Sequence, residues 1–372
     1  MEPKTILLLG GYGLAGRQIA GYLLRETSVY LIVSGRSREH ATAFRNQLNN
    51  DFSGDRVAAI AVDAADGESL KRALDGVDLL VVASSTAQYA GTVARAALDT
   101  ATDYMDIQYS NKRLAVLRGL ADEIQQSGHT FITEGGFHPG VPAALVRYAA
   151  QKIDGLSKAV VSCALKVNWK DHRAGDATTM EFAEELIDYE ALYYRGGQWH
   201  KARMWSTRDF LHKDYGEPYG KQLAVPMLLE EMRALPEAIP TLRETGFYIT
   251  GFNWLTDWLV MPLAMLLVKL GPRRFLRAAG RLIFWSLEIM SAPPFGIVLE
   301  LDGGNESKTI EIRIQHEDGY VLTAVPTVAC IKQYLAGQLE SGLHLMAHAV
   351  DPVQYLDDMA SMGITVETKI QN

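Results

Sequence analysis

The sequence predicts an α/β protein that begins with a doubly wound parallel sheet and continues with an α+β domain whose sheet is mainly antiparallel. Three observations lead to this prediction. Short β-branched or Leu-rich runs alternate with helical patterns up to about residue 135. The first of these runs leads directly into a glycine-rich segment. After that region the pattern changes to longer β-rich stretches separated by turn residues.

The first part of the chain, residues 1–135, contains six candidate strands, each followed by a helical segment. Crossovers of this kind are nearly always right-handed, and their repetition is the topology of a Rossmann dinucleotide-binding domain. The strands are predicted at residues 5–9, 29–34, 56–62, 79–83, 104–107 and 129–133. Helices are predicted at residues 15–24, 69–74, 90–98 and 112–126.

The α+β domain is predicted at residues 136–326, with roles in substrate binding and dimerisation. Its expected elements are a helix at 141–151, a β-rich stretch at 159–169, a hairpin at 189–204 turning at Gly196-Gly197, a second hairpin joining 296–301 to 308–315 through Asp302-Gly303-Gly304-Asn305, and a third strand at 320–325. The closing segment, 327–372, is predicted to be helical and to return to the first domain.

Composition and charge narrow the class of protein. The 372 residues suffice for two domains of about 150 residues, one of them enlarged. A formal net charge of −8 would repel a phosphate backbone, which argues against nucleic acid as a partner. The two cysteines, Cys163 and Cys330, are too few for a disulfide framework or a cysteine zinc site. With no secretion-signal pattern, we expect a cytoplasmic protein without a metal.

The segment at residues 10–16 reads GGYGLAG and contains the G-x-G-x-x-G pattern at Gly11, Gly13 and Gly16. A tight turn, a close approach of the backbone to pyrophosphate and close helix–strand packing each require a glycine there. The amides of the following helix N-terminus then face the anion. A merely structural glycine turn is the alternative. The residues predicted to contact a dinucleotide here are Gly11, Tyr12, Gly13, Leu14, Ala15 and Gly16.

The residues after the second predicted strand indicate NADP rather than NAD. An NAD enzyme places Asp or Glu there for the ribose 2′-hydroxyl, whereas this chain has Ser34-Gly35-Arg36-Ser37-Arg38. Arg36 offers a bidentate fork to a 2′-phosphate, with Ser37 and Arg38 as supporting donors. Solvated loop arginines are the alternative. Further cofactor contacts are predicted after the third and fourth strands, at Asp63, Ser84, Ser85 and Thr86.

Reacting groups are expected beyond the carboxyl ends of strands four to six. Asp106, Tyr109 and His138 are the predicted catalytic residues, because each can transfer the proton that accompanies hydride transfer. Asp106 as a turn cap and His138 as a partner of backbone groups are equally weighted alternatives. Gly140, at a second helix N-terminus able to hold a carboxylate, and Thr178, which also fits an N-cap, are the predicted substrate contacts.

Several segments resemble the saccharopine dehydrogenase-like oxidoreductases: GGYGLAG followed by SGRS, then YMDI, HPGVPAALVRYAA and GLHLMAHAVDP. The resemblance implies an NADP-linked Rossmann domain, an α+β domain, a C-terminal return, a homodimer and oxidation of secondary amines to imines. The sequence departs from the saccharopine reductases at His138, where they carry an acidic residue before the Pro-Gly pair. Substrate recognition therefore does not transfer.

Two functions of different classes fit these observations. The first is an NADP-dependent oxidoreductase that transfers hydride between nicotinamide and a C=N or C=C substrate held between the two domains. A hydrophobic substrate is one form of this hypothesis. The second is a non-catalytic NADP-binding sensor or scaffold associated with lipid or membrane. A Y-x-x-x-K pattern at Tyr148 and Lys152 lacks the context of short-chain dehydrogenases. The apolar segment 252–290 fits dimer packing better than an interfacial membrane element.

Overall fold

The computed structural model describes residues 3–170, 179, 183, 189–203, 207–270 and 274–372. The chain forms two compact units. The first unit comprises residues 1–141 and 320–363, and the second comprises residues 142–319 and 364–372.

The described strands are β1 (Thr5–Leu9), β2 (Tyr30–Gly35), β3 (Val57–Ala61), β4 (Leu79–Val82), β5 (Asp103–Asp106), β6 (Thr130–Thr133), β7 (Lys158–Lys166), β8 (Leu192–Arg195), β9 (Gln198–Lys201), β10 (Leu211–Asp214), β11 (Lys221–Met227), β12 (Glu244–Thr250), β13 (Gly296–Gly304), β14 (Thr309–His316), β15 (Gly342–Leu345) and β16 (Thr365–Gln371).

The described α-helices are α1 (Leu14–Glu26), α2 (Arg38–Asp51), α3 (Gly67–Leu74), α4 (Ala90–Asp99), α5 (Asn111–Gly119), α6 (Ala121–Ser127), α7 (Val141–Lys152), α8 (Glu230–Arg233), α9 (Leu235–Ala238), α10 (Met261–Leu270), α11 (Arg274–Met290), α12 (Gly319–Leu335), α13 (Met346–Ala349) and α14 (Pro352–Ser361). Short 3₁₀ turns lie at Ala87–Tyr89 and Thr207–Asp209, and a π-helical turn at Thr256–Val260 leads into α10.

The first unit is built on a seven-stranded parallel sheet with the order β15-β6-β5-β4-β1-β2-β3. Strands β4 and β6 are buried at every position, as expected for a parallel sheet covered on both faces. Helix α1 buries Ile19, Ala20 and Leu23 at helical spacing, which fixes it against the sheet. The predicted fold class and all six predicted strands are confirmed, while the helix predicted at 112–126 is divided into α5 and α6.

Helix α12 and strand β15 belong to the first unit although they come late in the chain. The Tyr334 hydroxyl donates to Asp103 Oδ2 over 2.6 Å, and Thr327 Oγ1 donates to the Gly135 carbonyl over 2.7 Å. The prediction of a strand at 320–325 is wrong, because these residues form the first part of α12. A helix buried on nearly every side has no polar face, so its periodicity resembles that of a buried strand.

The second unit contains a nine-stranded sheet in which β10, β11, β12, β7, β13, β14 and β16 lie side by side. The hairpin β8–β9 pairs with β12. Both predicted hairpins are confirmed, since β8 pairs antiparallel with β9 and β13 with β14. Strands β12 and β7 are parallel, which is compatible with a mainly antiparallel sheet.

Strands β15 and β16 correct the prediction of a helical closing segment. Strand β15 pairs with β6 in the first unit, and β16 pairs antiparallel with β14 in the second. Strand β16 reads TVETKIQ and is largely exposed. Its polar face gave no buried-strand signal in the sequence, although Thr, Val and Ile favour extended backbone.

Helices α10 and α11 pack against each other in the second unit around a small core. This core contains Val260, Ala264, Ala279, Ile283 and Leu287. Within the described part of the chain, no helix is both long enough and apolar enough to cross a membrane.

Candidate functional site

The strand ends of the first unit bring the predicted cofactor segments to one edge of its sheet. In the parallel register Leu9 is opposite Ser34 on one side and Val82 on the other, and Val82 is opposite Asp106. These residues form one row across β2, β1, β4 and β5. The segments that follow them therefore begin side by side, where ligands bind in open α/β sheets.

The glycine-rich loop after β1 forms a tight turn that ends at the N-terminus of α1. The amides of Gly10 and Gly11 both donate to the Ser34 carbonyl over 2.9 Å, and Gly13 N donates to the Gly10 carbonyl over 3.0 Å. Gly13 is the N-cap residue of α1, so it offers no side chain to the first-turn amides. Gly13 and Leu14 are exposed, which leaves this helix end accessible to an anion.

Close packing requires glycine at position 16 and leaves little room for a side chain at position 11. A Cβ at Gly16 would lie 2.2 Å from the Gly10 carbonyl oxygen, and a Cβ at Gly11 would lie 3.1 Å from the Leu8 carbonyl oxygen. At Gly16 the backbone of α1 thus approaches the loop more closely than any side chain permits. Ala15 lies in the first turn of α1, beside Gly16. This geometry fits the cradle of a pyrophosphate.

Tyr12 connects the loop to the residues that follow β2. Its hydroxyl accepts a hydrogen bond from Ser37 N over 3.0 Å. Its ring lies against Gly35, where a Cβ would be 2.6 Å from three ring and hydroxyl atoms. A larger residue at position 35, including the carboxylate of an NAD-type site, would displace this ring. Tyr12 is predicted as a dinucleotide contact, but its contact with Ser37 spans 25 positions and no local pattern indicates it.

Arg36 and Arg38 are exposed and follow β2 directly. Ser37 is the N-cap of α2, with its hydroxyl oxygen accepting from His40 N over 3.2 Å. The hydroxyl proton of Ser37 can still be donated, so two guanidinium groups, a hydroxyl and a helix N-terminus surround this position. Asp63 is exposed after β3 and accepts from Ala65 N over 3.0 Å, which makes it a turn-stabilising residue next to this group.

The polar residues after β4 lie against the glycine-rich loop. A Cβ at Gly10 would be 2.7 Å from Ser84 Cβ. Thr86 Oγ1 donates to the Ser84 carbonyl over 3.1 Å. Ser84, Ser85 and Thr86 are each partly exposed, so their hydroxyl groups are within reach of a ligand at this edge. The structure thus brings the predicted loop, the segment after β2 and the segment after β4 together.

Asp106 is fully buried within a hydrogen-bond network. Its Oδ2 accepts from the Tyr104 hydroxyl over 2.9 Å and from Thr133 Oγ1 over 2.8 Å, and Arg113 Nη1 is 3.5 Å from its Oδ1. Burial and the neighbouring Asp106 charge raise the pKa of Tyr104 well above its ordinary value. This carboxylate holds β5, β6 and α5 together, an arrangement suited to positioning rather than to proton exchange with a ligand.

His138 lies in the loop after β6, and its side chain is partly buried. The peptide bond between His138 and Pro139 is cis. Burial lowers the pKa of His138 below its ordinary value, so its imidazole is neutral near pH 7. Gly140 has a φ of +129°, and a Cβ there would lie 2.4 Å from the Gly136 carbonyl oxygen. Tyr109 follows β5 on a partly exposed loop.

The N-terminus of α7 is occupied by a side chain of the protein itself. The buried carboxylate of Glu231 accepts from Ala143 N over 3.4 Å. A carboxylate of the protein itself thus lies at the helix end where the sequence predicts a substrate carboxylate. Sequence reasoning missed Glu231 because 88 positions separate the two residues. Thr178, the second predicted substrate contact, lies outside the described residues.

The Y-x-x-x-K pattern on α7 lacks the geometry of a tyrosine–lysine catalytic pair. Lys152 Nζ lies over the ring of Tyr148, 5.0 Å from its centroid. The contact is a cation–π interaction on the helix surface, in agreement with the rejection of a short-chain dehydrogenase site.

Comparison with known proteins places this geometry among dinucleotide-binding folds. Residues 6–132 match the family model described as the saccharopine dehydrogenase NADP binding domain. The apo structure of saccharopine dehydrogenase (L-Glu forming) from Saccharomyces cerevisiae is similar over 99% of this chain and 100% of its own, with a TM-score of 0.69 and 14% identity. The structure of GenD2 from gentamicin A biosynthesis, in complex with NAD, matches over 100% of this chain and 97% of its own, with a TM-score of 0.47 and 12% identity.

Proposed function

Residues 6–132 match the model of the saccharopine dehydrogenase NADP binding domain, and from this match we propose that the chain is an NADP-dependent oxidoreductase. The observation that carries the proposal is the row of strand ends, which places a glycine cradle beside a carboxylate-free loop with two arginines. His138 follows β6 of the same sheet. Bound NADP(H) supplies the hydride chemistry.

The cofactor is assigned to the residues around the glycine-rich loop. Residues 11–16 would surround the pyrophosphate through backbone amides, and Arg36, Ser37 and Arg38 would hold the 2′-phosphate. Ser84, Ser85 and Thr86 would donate to the nicotinamide ribose or amide. Asp63, which stabilises the turn after β3, would border the adenosine end.

His138 is the proposed proton-transfer residue. A neutral imidazole near pH 7 can accept a proton from an amine during oxidation, and its conjugate acid can return the proton during reduction. Tyr109 is proposed to orient the substrate by its hydroxyl group, and Gly140, two residues after His138, to contact the substrate through its backbone. Asp106 acts through the elements that it holds in place. The proposed substrate class carries a C=N or C=C bond next to an apolar group.

A turnover screen tests the oxidoreductase proposal. The full chain with NADPH is offered cyclic imines, mixtures of 2-oxo acids with amines, and enoyl thioesters, and NADPH absorbance is followed. We expect oxidation with at least one class. His138→Asn should lower kcat about 100-fold while NADPH affinity stays within about twofold. Tyr148→Phe is the matched control, expected to leave kcat unchanged.

The alternative is a sensor or scaffold that binds NADP without turnover. Tight binding of NADPH, with no NADPH oxidation in the presence of any compound class, would favour this alternative and contradict the oxidoreductase proposal.

A cytoplasmic location remains part of our proposal. Cys163 and Cys330 are both buried and free, as is typical of proteins in a reducing compartment.

A further inference from the structure

Exposed apolar side chains are concentrated in one segment of the second unit. Among the described residues twelve large hydrophobic side chains are exposed, and eight of them lie between residues 254 and 290. Trp258 exposes 69% of its surface and Trp254 exposes 62%. We call the following set the tryptophan surface: Trp254, Trp258, Leu259, Leu263, Leu266 and Trp285.

Helices α10 and α11, which carry part of this surface, pack against each other through a buried core. The exposed side chains therefore belong to an ordered element. Val260 and Ala264 on one side and Ala279 and Ile283 on the other form its buried core. The hydroxyl groups of Thr256 and Ser286 are 2.9 Å apart within that core. The tryptophan surface is therefore the outward face of a packed helical pair, not a core that has failed to pack.

The exposed face of α11 combines basic and apolar groups. Arg277, Arg281, Trp285 and Ile289 are exposed and spaced four residues apart, which aligns them along one side of the helix. The first half of this line is cationic and the second half is apolar. Helices that lie in a membrane interface combine these groups, with tryptophan at the headgroup level and arginine near lipid phosphates.

The charge of the segment is opposite to that of the whole chain. Residues 252–290 contain five Lys or Arg and two Asp or Glu, whereas the chain carries a formal net charge of −8. Asp257 is turned inward, where its Oδ1 accepts from Phe252 N over 3.0 Å. A two-fold contact between copies whose axis passes near Arg277 and Arg281 would bring these cations close to their own counterparts. An anionic bilayer attracts the same arginines.

From the exposed tryptophans and the neighbouring arginines we propose that this face of the second unit docks on the surface of an anionic lipid bilayer. The apolar tips enter the boundary between headgroups and acyl chains, and Arg277 and Arg281 pair with lipid phosphates. The docking is peripheral and reversible, and it is independent of whether the first unit turns over a substrate.

Vesicle binding by the full chain tests this proposal. Vesicles of phosphatidylcholine alone and with about 30% phosphatidylserine are used in co-sedimentation. We expect the wild type to bind only the anionic vesicles. The double variant Trp254→Ser/Trp258→Ser should bind them at least about tenfold more weakly. Arg277→Gln and Arg281→Gln should each weaken it about fivefold. Val116→Ser, which alters an exposed apolar residue of the first unit, is the matched control.

Two further measurements separate docking from other occupants of the surface. Brominated lipids should quench tryptophan fluorescence of the wild type more strongly than that of the double variant, and NADPH affinity reports that both are folded. A concentration-dependent dimer that the double variant abolishes, without vesicle binding, would overturn the proposal in favour of a second copy of the chain. Equal binding to neutral vesicles, unchanged in the arginine variants, would overturn the assignment to anionic lipid.

Discussion

At the scale of one residue, we propose that Arg36 determines which dinucleotide the first unit prefers. Charge-assisted hydrogen bonds contribute about 1.5–3 kcal/mol, so Arg36→Ala should weaken NADPH binding about 10- to 100-fold. NADH lacks the 2′-phosphate, and its affinity should change less than about twofold. Titration of both cofactors by fluorescence measures the two constants. Arg72→Ala, an exposed arginine on α3, is the control. Equal losses for both cofactors would refute the assignment.

The titration of His138 predicts a pH dependence of stability. Its pKa in the folded protein is lowered from 6.5, so the unfolded chain binds the proton first as pH falls. The free energy of unfolding should therefore be unaffected by this group above that value and decrease as the pH is lowered toward the folded pKa. Denaturant unfolding from about pH 8 to about pH 5.5 measures the dependence.

The control for this prediction is a second histidine substitution. His138→Asn should reduce the loss of stability at acid pH, whereas His212→Asn, at an exposed position of β10, should leave it nearly as in the wild type. A pH dependence of His138→Asn identical to that of the wild type would contradict the prediction.

Helix α1 offers an internal comparison at the scale of one element. Gly16→Ala places a Cβ 2.2 Å from the Gly10 carbonyl oxygen, and overpacking of this kind typically costs about 1–3 kcal/mol. It should also displace the loop and weaken NADPH binding. Gly21→Ala in the same helix has no neighbouring atom within 4 Å among the described residues and should raise stability by about 0.5–1 kcal/mol. Thermal unfolding with and without NADPH measures both.

The elements that the sequence predicted are those whose signal is local. Strand β4 is a continuous apolar run, and the glycine-rich loop carries its pattern within seven residues. The start of α12 was mistaken for a strand because its buried faces carry no helical period. The contacts of Glu231 with α7 and of Tyr12 with Gly35 join distant parts of the chain, so no local pattern indicates them.

At the scale of the whole molecule, the last residues of the chain complete the second sheet. Residues 364–372 belong to the second unit, and β16 covers the edge of β14 through an antiparallel pairing in which Thr365 is opposite Gln315 and Gln371 is opposite Thr309. Their deletion should lower the apparent thermal midpoint by several degrees and promote self-association through the uncovered edge. NADPH affinity, a property of the first unit, should stay within about twofold.

Calorimetry, light scattering and cofactor titration measure these three effects. Removal of Gln371 and Asn372 alone, which leaves most of the β16 pairing in place, is the control. An unchanged midpoint after the larger deletion would contradict a stabilising role for β16.

The interleaved order of the two units has a consequence for biosynthesis. Strand β15 and helix α12, which cover one side of the first sheet, leave the ribosome after nearly the entire second unit has been translated. Until then, the apolar strand β6 has an unpaired edge, and an unpaired apolar edge is prone to aggregation. Premature stop codons even near residue 340 would therefore damage the half of the protein that was synthesised first.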